Sequence, residues 1–511
     1  MTAIGLADRR APLVTIGIAI VAVLVASLGL LVPGDASRVA SAAGAASVLA
    51  LAFLAWPTLS LMAFCVVMLL SSTIAGFVPG IRLLDEIAIP LLLVAAVVRQ
   101  RSRIGERLLW PRDIAVALIF ATGVVSSLLQ GVELETWLPA IALLAKPIAV
   151  FYIALLLDWD ELSVRSAIRV GFAVGVLVLV VAVVELAAPA LVPQALRLPV
   201  FEPRAGLPAI KSVFEHPVLF AWFTGFVALF CFAHYSVLGR WRYLAWMAVF
   251  ALGPVLAARR RAIIAVVASL AVAFGIDILK RQPRRALARR WLPVAGVLLV
   301  VTVAFLPAFG ALYEQTAARY LPDPTDPAGP GGLDGFEVEG AATMQARTAL
   351  YGGSILIARD YAPLGAGLGR YASHMSRVDY SPLYERYGLA EVNGLREQNP
   401  KFVTDTFWPQ ILGELGVIGM ISYAAFLAFI GWDLLKLALR REVPSIARIL
   451  YLGALLVFTQ GLIESLASAM FHSPPRAYLL MATVGAALAM GNGLLNLRGI
   501  RWQRAEPDSS R

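Results

Sequence analysis

The chain has 511 residues, 59% of them hydrophobic and 15% charged, and its mean hydropathy of +0.78 excludes a protein folded wholly in water. The formal net charge of +10 calls for no nucleic acid, because most of the basic excess sits in loops between apolar stretches, where it sets membrane orientation and meets anionic lipid headgroups. Cys65 and Cys231 fall inside apolar stretches, and the histidines at 216, 234, 374 and 472 lack ligand spacing, which excludes a disulfide framework and a thiolate metal site; no cofactor is expected.

Apolar stretches near the length needed to cross the hydrocarbon layer recur from end to end, and lipid allows only internally hydrogen-bonded backbone. The pattern therefore predicts an all-α polytopic membrane protein with about fourteen transmembrane helices. In chain order they fall at 12–32, a retained signal anchor, then 40–56, 58–77, 83–98, 113–130, 137–157, 166–188, 217–236, 241–257, 262–279, 291–312, 407–434, 446–466 and 476–496. This divides the chain into an N-terminal bundle of about eleven helices (1–312), one large extracytoplasmic loop (313–405), about three further helices (406–496) and a cytoplasmic tail (497–511).

With both termini inside, parity places the basic groups Arg99/Arg101/Arg103/Arg107/Arg112, Arg240/Arg242, Lys280/Arg281/Arg284/Arg285/Arg289/Arg290 and Lys436/Arg440/Arg441 inside, as the positive-inside rule requires. Parity also puts Arg259, Arg260 and Arg261 outside. A dense cation cluster that breaks the rule has an external anionic task, provided that the short stretch 241–257 crosses the membrane and is not re-entrant.

Some charges fall inside or beside the apolar stretches. Lys146 must snorkel, pair or face a polar cavity, whereas Asp85, Glu86 and Glu185 fit interfacial, structural places. Glu464 lies deeper and is a candidate cavity residue.

The large loop opens with a Pro-, Gly- and Asp-rich connector over 322–340 and continues with a helix-compatible segment, 341–359, that sets Arg347 about one turn from Tyr351. It ends in Asp360-Tyr-Ala-Pro-Leu-Gly-Ala-Gly-Leu-Gly369. A tight turn that redirects the chain is the favoured reading of these glycines, and a phosphate cradle is the alternative.

These features resemble the O-antigen ligase and O-antigen polymerase family of bacterial polysaccharide membrane enzymes, and the resemblance covers most of the chain. It rests on Arg347 followed by Pro363-Leu-Gly-Ala-Gly367, on Gln410-Ile-Leu-Gly-Glu-Leu-Gly-Val-Ile-Gly419 with Glu414 and Gly416 in register, on Ser212-Val-Phe-Glu-His-Pro217, which contains His216, and on Arg260-Arg261-Ala262. One departure stands out: Asp405, in Thr404-Asp-Thr-Phe-Trp408, occupies the place where ligases of the family carry a histidine.

The resemblance implies a bacterial inner-membrane protein with its large loop in the periplasm. It implies an inverting, metal-independent glycosyltransferase that polymerises exopolysaccharide or O-antigen repeat units carried on undecaprenyl pyrophosphate. Ligation to another acceptor is a close variant, and a lipid-linked oligosaccharide flippase is the alternative from another class, although no internal repeat favours it. A separate flippase and a chain-length regulator are expected partners.

In such a reaction cations hold the pyrophosphate, and arginine suits this because its planar fork binds phosphate oxygens in pairs. Arg259, Arg260, Arg261 and Arg347 are the candidates, with Lys211 and Arg204 as helpers. Asp405 is the candidate base for the attacking hydroxyl, with Glu215 or Asp360 in reserve; its competing role is to cap the helix beginning near Phe407. Glu414, Gly365, Gly367 and His216 are expected to support the site, and no metal is expected.

Overall fold

A computed structural model describes residues 52–78, 81, 83–99, 110–200, 209–305 and 335–503. Among them the regular structure is helical, with one isolated β-bridge between Arg396 and Asn399. The principal helices are α1 (Pro57–Leu69), α2 (Leu84–Arg99), α3 (Pro111–Leu129), α4 (Leu134–Leu156), α5 (Glu161–Ala187), α6 (Pro217–Leu238), α7 (Trp241–Leu256), α8 (Arg260–Leu279), α9 (Arg284–Ala304), α10 (Gly335–Asp360), α11 (Trp408–Leu439), α12 (Ser445–Ser465) and α13 (Arg476–Gln503).

Among the described residues eight helices are long and apolar enough to cross a membrane, namely α3, α4, α5, α6, α8, α9, α11 and α12, while α1, α7 and the first part of α13 are shorter and apolar. The protein is thus a multi-pass helical membrane protein by length and composition. The expected span at 12–32, most of that at 40–56, and the connector over 322–340 up to residue 334 lie outside the described residues, while the connector's last residues, 335–340, belong to helix α10. The stretch expected as a helix over 291–312 starts earlier, at Arg284, because Pro283 fixes an extended entry and the arginines that follow are themselves good helix formers.

Local chemistry explains the helix ends. His216 caps α6 by accepting from Val218 N at 3.0 Å, Pro217 occupies the first turn where no donor is needed, and Gly239, with φ +67°, closes the helix. Asp160 caps α5 through Ser163 N at 2.8 Å.

Helix α6 is the most enclosed span, with 78% of its apolar window buried, and it packs on α5, α7, α8 and α12. Helix α4 packs on α13, α3 on α11, and α8 on α12. By contrast α9 buries 6% of its window and turns Leu292, Leu299, Val300 and Val303 outward, the pattern of a helix at the rim facing lipid.

The charge embedded at Lys146 is paired. Its ammonium reaches Asp85 at 3.1 Å and also Glu86, and Tyr478 OH donates to Asp85 at 2.7 Å, tying α2, α4 and α13 together. Asp85 is therefore structural, as expected from sequence, and is buried as the partner of Lys146. Glu185 is structural as expected, since it accepts from the backbone of Lys211 and Ser212 at 3.1 and 2.6 Å.

The basic loops gather at one end of the bundle: Arg441 donates to Lys280 O, and Arg112 pairs with Asp433 at 3.0 Å. Helix α7 runs from that end, where Tyr243 meets His234, to the other, where Leu256 O accepts from Ile210 N at 3.4 Å. It packs along α6 over its 16 residues. Arg259, Arg260 and Arg261 therefore lie at the end opposite the Lys280 to Arg290 group.

At that opposite end the segment from α10 to Phe407 has its own core of Leu350, Ile357, Tyr371, Tyr384, Leu395 and Val403. This packed unit sits on α11.

Candidate functional site

The glycine run after α10 is a backbone joint. Ala366 N donates to Gly413 O at 2.9 Å, Gly367 N to Glu414 O at 3.1 Å, and Leu368 N to the Ser127 hydroxyl at 3.0 Å. These amides are committed within the protein, so the phosphate-cradle alternative loses its donors and the turn reading holds. Gly365, at φ +82°, lies against the backbone of Gly416, which breaks α11 with φ 62° and ψ −162°; a Cβ on either would strike the other's main chain.

Glu414 locks the joint from within the helix, accepting from Tyr371 N at 3.0 Å and from Gln410 at 3.2 Å while only 1% exposed. Glu414, Gly365 and Gly367 thus fix how the packed loop sits on α11.

That joint positions Arg347 and Asp405, one on α10 and one on the segment leading into α11. Arg347 Nη2 donates to Asp405 Oδ2 at 2.8 Å, so the two residues assigned separate tasks are in direct contact. Asp405 does not cap: the cap position of α11 is Phe407, which makes no side-chain capping bond.

Arg261, in the first turn of α8, donates to Ala467 O, and Tyr351 OH donates to Leu466 O at 2.7 Å; together they hold the start of the α12–α13 connection. Burial raises the pKa of Tyr351 and keeps it a donor. The charges acting on Arg261 are Glu464, Arg347, Arg476 and Asp405. Glu464 is fully buried, receives Gln460 Nε2 at 3.4 Å and faces Arg476 Nη1 at 3.9 Å. Three arginines and two carboxylates therefore share one region, where α8, α10, α11, α12 and α13 meet.

Two features of this region bear on chemistry. The buried Nε of Arg347 and the buried Nε and Nη1 of Arg476 have no hydrogen-bond partner among the described residues, so donor capacity is left unused beside the ion pair. His472, whose ring lies 5.3 Å from that of Phe407, is pushed down to about 4 by burial and by Arg476, so it stays neutral near pH 7 and adds no cation.

The other expected residues fall elsewhere. Arg260 opens α8 and is exposed, and Arg259 precedes it at the N-cap position. Lys211, 1% exposed, is acted on by Glu185 and Glu215, so this expected helper belongs to a neighbouring group beside the end of α7 and not to the arginine region. Burial also lowers its pKa.

His216 serves as the cap of α6. Asp360 accepts from Tyr387 OH at 2.8 Å and pairs with Arg359 at 3.4 Å. Arg204 lies outside the described residues.

Sequence reasoning missed Arg476. The parity that placed the Arg259–Arg261 cluster outside also puts the connection over 467–475 outside, and Arg476 opens the next helix; as a lone arginine it lacked the density that marked the cluster. Among the described residues no three His, Cys, Asp or Glu side chains gather as a metal site would require. No protein-family model matches the sequence, and no curated protein is significantly similar to it.

Proposed function

We propose that this protein is a bacterial inner-membrane glycosyltransferase that polymerises polysaccharide repeat units at the periplasmic face, with undecaprenyl pyrophosphate-linked glycan as donor and a sugar hydroxyl as acceptor. The observation that carries the reading is the convergence of Arg261, Arg347 and Arg476 at the end of the bundle away from the basic loops, with Asp405 bound to Arg347 at 2.8 Å. Cations outside their usual face need an anionic partner, and a pyrophosphate at the membrane surface supplies one.

The ion pair suggests how donor binding prepares the base. When pyrophosphate oxygens take the Arg347 guanidinium, the Asp405 carboxylate is released to accept a proton. The acceptor hydroxyl oxygen then attacks the anomeric carbon from the face opposite the leaving group, its proton passes to Asp405, and the carbon–oxygen bond to the pyrophosphate breaks with inversion. Arg261 and Arg476 stabilise the charge as it leaves. Glu464 holds these arginines in place and lowers the net positive charge of the empty region.

The test is to supply the purified protein in lipid with an undecaprenyl-pyrophosphate oligosaccharide from its host and to follow both lipid release and product size. A growing ladder with release of undecaprenyl pyrophosphate is the expected result. Release only when a second acceptor is added would make the protein a ligase, and movement of intact lipid across the bilayer without release would replace the enzyme by a transporter.

A further inference from the structure

At the end of the bundle opposite the arginine region, where α8 and α6 finish and α9 and α12 begin, lies a cavity of about 230 Å³. It is several times the roughly 30 Å³ share of a liquid water molecule. Four basic side chains line it, Lys280, Arg290, Arg441 and Arg448, against a single carboxylate among the described lining residues, Asp277. That carboxylate is already taken by Arg290 at 2.6 Å and by Trp291 Nε1 at 3.0 Å. The cations come from four different elements: Lys280 from the end of α8, Arg290 from α9, Arg441 from the α11–α12 connection and Arg448 from α12.

Like charges do not converge in a polar recess without a compensating anion, and loops that merely set topology let their cations spread into solvent. We propose that this cavity binds a phosphate group, held by Lys280 and Arg448 and completed by Arg441, and that in the membrane the phosphate is the headgroup of an anionic phospholipid. Its place between helix ends, with one lining cation, Arg290, supplied by α9, whose apolar side chains turn outward, fits a phospholipid whose chains run along the bundle. Burial first, then Arg448, lower the pKa of Lys280, while Asp277 only partly opposes them. Such a ligand would join α8, α11 and α12 from the far side of the membrane, since α8 alone is about 30 Å long at 1.5 Å per residue. The proposal does not depend on the glycosyltransferase reading.

The test uses the full-length protein in neutral detergent, titrated separately with phosphatidylglycerol, phosphatidylcholine and inorganic diphosphate, reading retained ligand by native mass spectrometry and the unfolding temperature. Phosphatidylglycerol should be retained and should raise that temperature, phosphatidylcholine should do neither, and Lys280→Gln with Arg448→Gln should weaken phosphatidylglycerol binding about tenfold. Competition by diphosphate would show that soluble phosphate fills the same site, whereas its absence would assign the site to lipid. Equal retention of both lipids by the wild-type protein, a measurement that does not depend on whether the variant folds, overturns the proposal. So does undiminished phosphatidylglycerol binding by the folded double variant.

Discussion

Replacing Arg347 or Asp405 with alanine separates catalysis from stability, because the geometry makes the two effects very different in size. At 2.8 Å the pair has a gross Coulomb attraction of about 6 kcal/mol at an effective dielectric constant of about 20. The side chains are 26% and 32% exposed, however, so solvation and side-chain entropy offset most of it and the net contribution is about 1 kcal/mol or less. Each alanine variant should therefore insert and fold, with an unfolding temperature lowered by at most a few degrees.

Losing a charge that meets the leaving pyrophosphate costs far more, roughly 3–4 kcal/mol or 10²- to 10³-fold in turnover. Arg347→Lys should fall between the wild type and alanine, since it keeps the charge and loses the fork. The double variant should be no worse than the poorer single one, because the two residues act as a unit. The assay is release of undecaprenyl pyrophosphate by purified protein, set beside thermal unfolding of the same samples. Full polymer output from both alanine variants at normal expression would refute the site.

Four further outcomes are expected. Gly365→Ala should cost roughly 2–5 kcal/mol and reduce folded yield, because the new Cβ meets the Gly416 backbone at a left-handed position; size-exclusion of the solubilised variant measures this. Lys146→Met should destabilise by about 3–5 kcal/mol, by leaving Asp85 charged and buried, and Asp85→Asn in the same chain should recover much of the loss in a thermal unfolding assay. His472 has its pKa lowered to about 4, so its contribution to stability is fully present above the unfolded value of 6.5 and is lost as pH falls from there towards 4; His472→Gln should flatten that part of the pH–unfolding curve. Arg260→Cys should react with a membrane-impermeant thiol reagent in intact cells, with little background from the buried Cys65 and Cys231, and reaction only after lysis would reverse the orientation.

The one-dimensional pattern of the chain determined which stretches become helices, because a lipid-crossing segment must carry a long apolar run and must satisfy its own backbone hydrogen bonds. Both properties are local and survive reading residue by residue. Parity plus the positive-inside rule likewise sufficed to single out the cluster Arg259, Arg260 and Arg261, since the rule compares loops along the chain and needs no contacts. Arg347 and Asp405 were legible as candidates through the resemblance of the loop motifs to the O-antigen ligase and polymerase family.

Only the tertiary structure decided which charges meet. Arg347 finds Asp405 across 58 positions, Lys146 finds Asp85 across 61 and Tyr478 finds the same carboxylate across 393, separations set by how helices pack and not by any periodicity. The same packing assigned the glycine run to a joint against Gly416 and moved Lys211 to Glu185. It also brought Arg476 and Glu464 beside Arg261, because a buried charge takes whichever opposite charge the assembled bundle brings within reach.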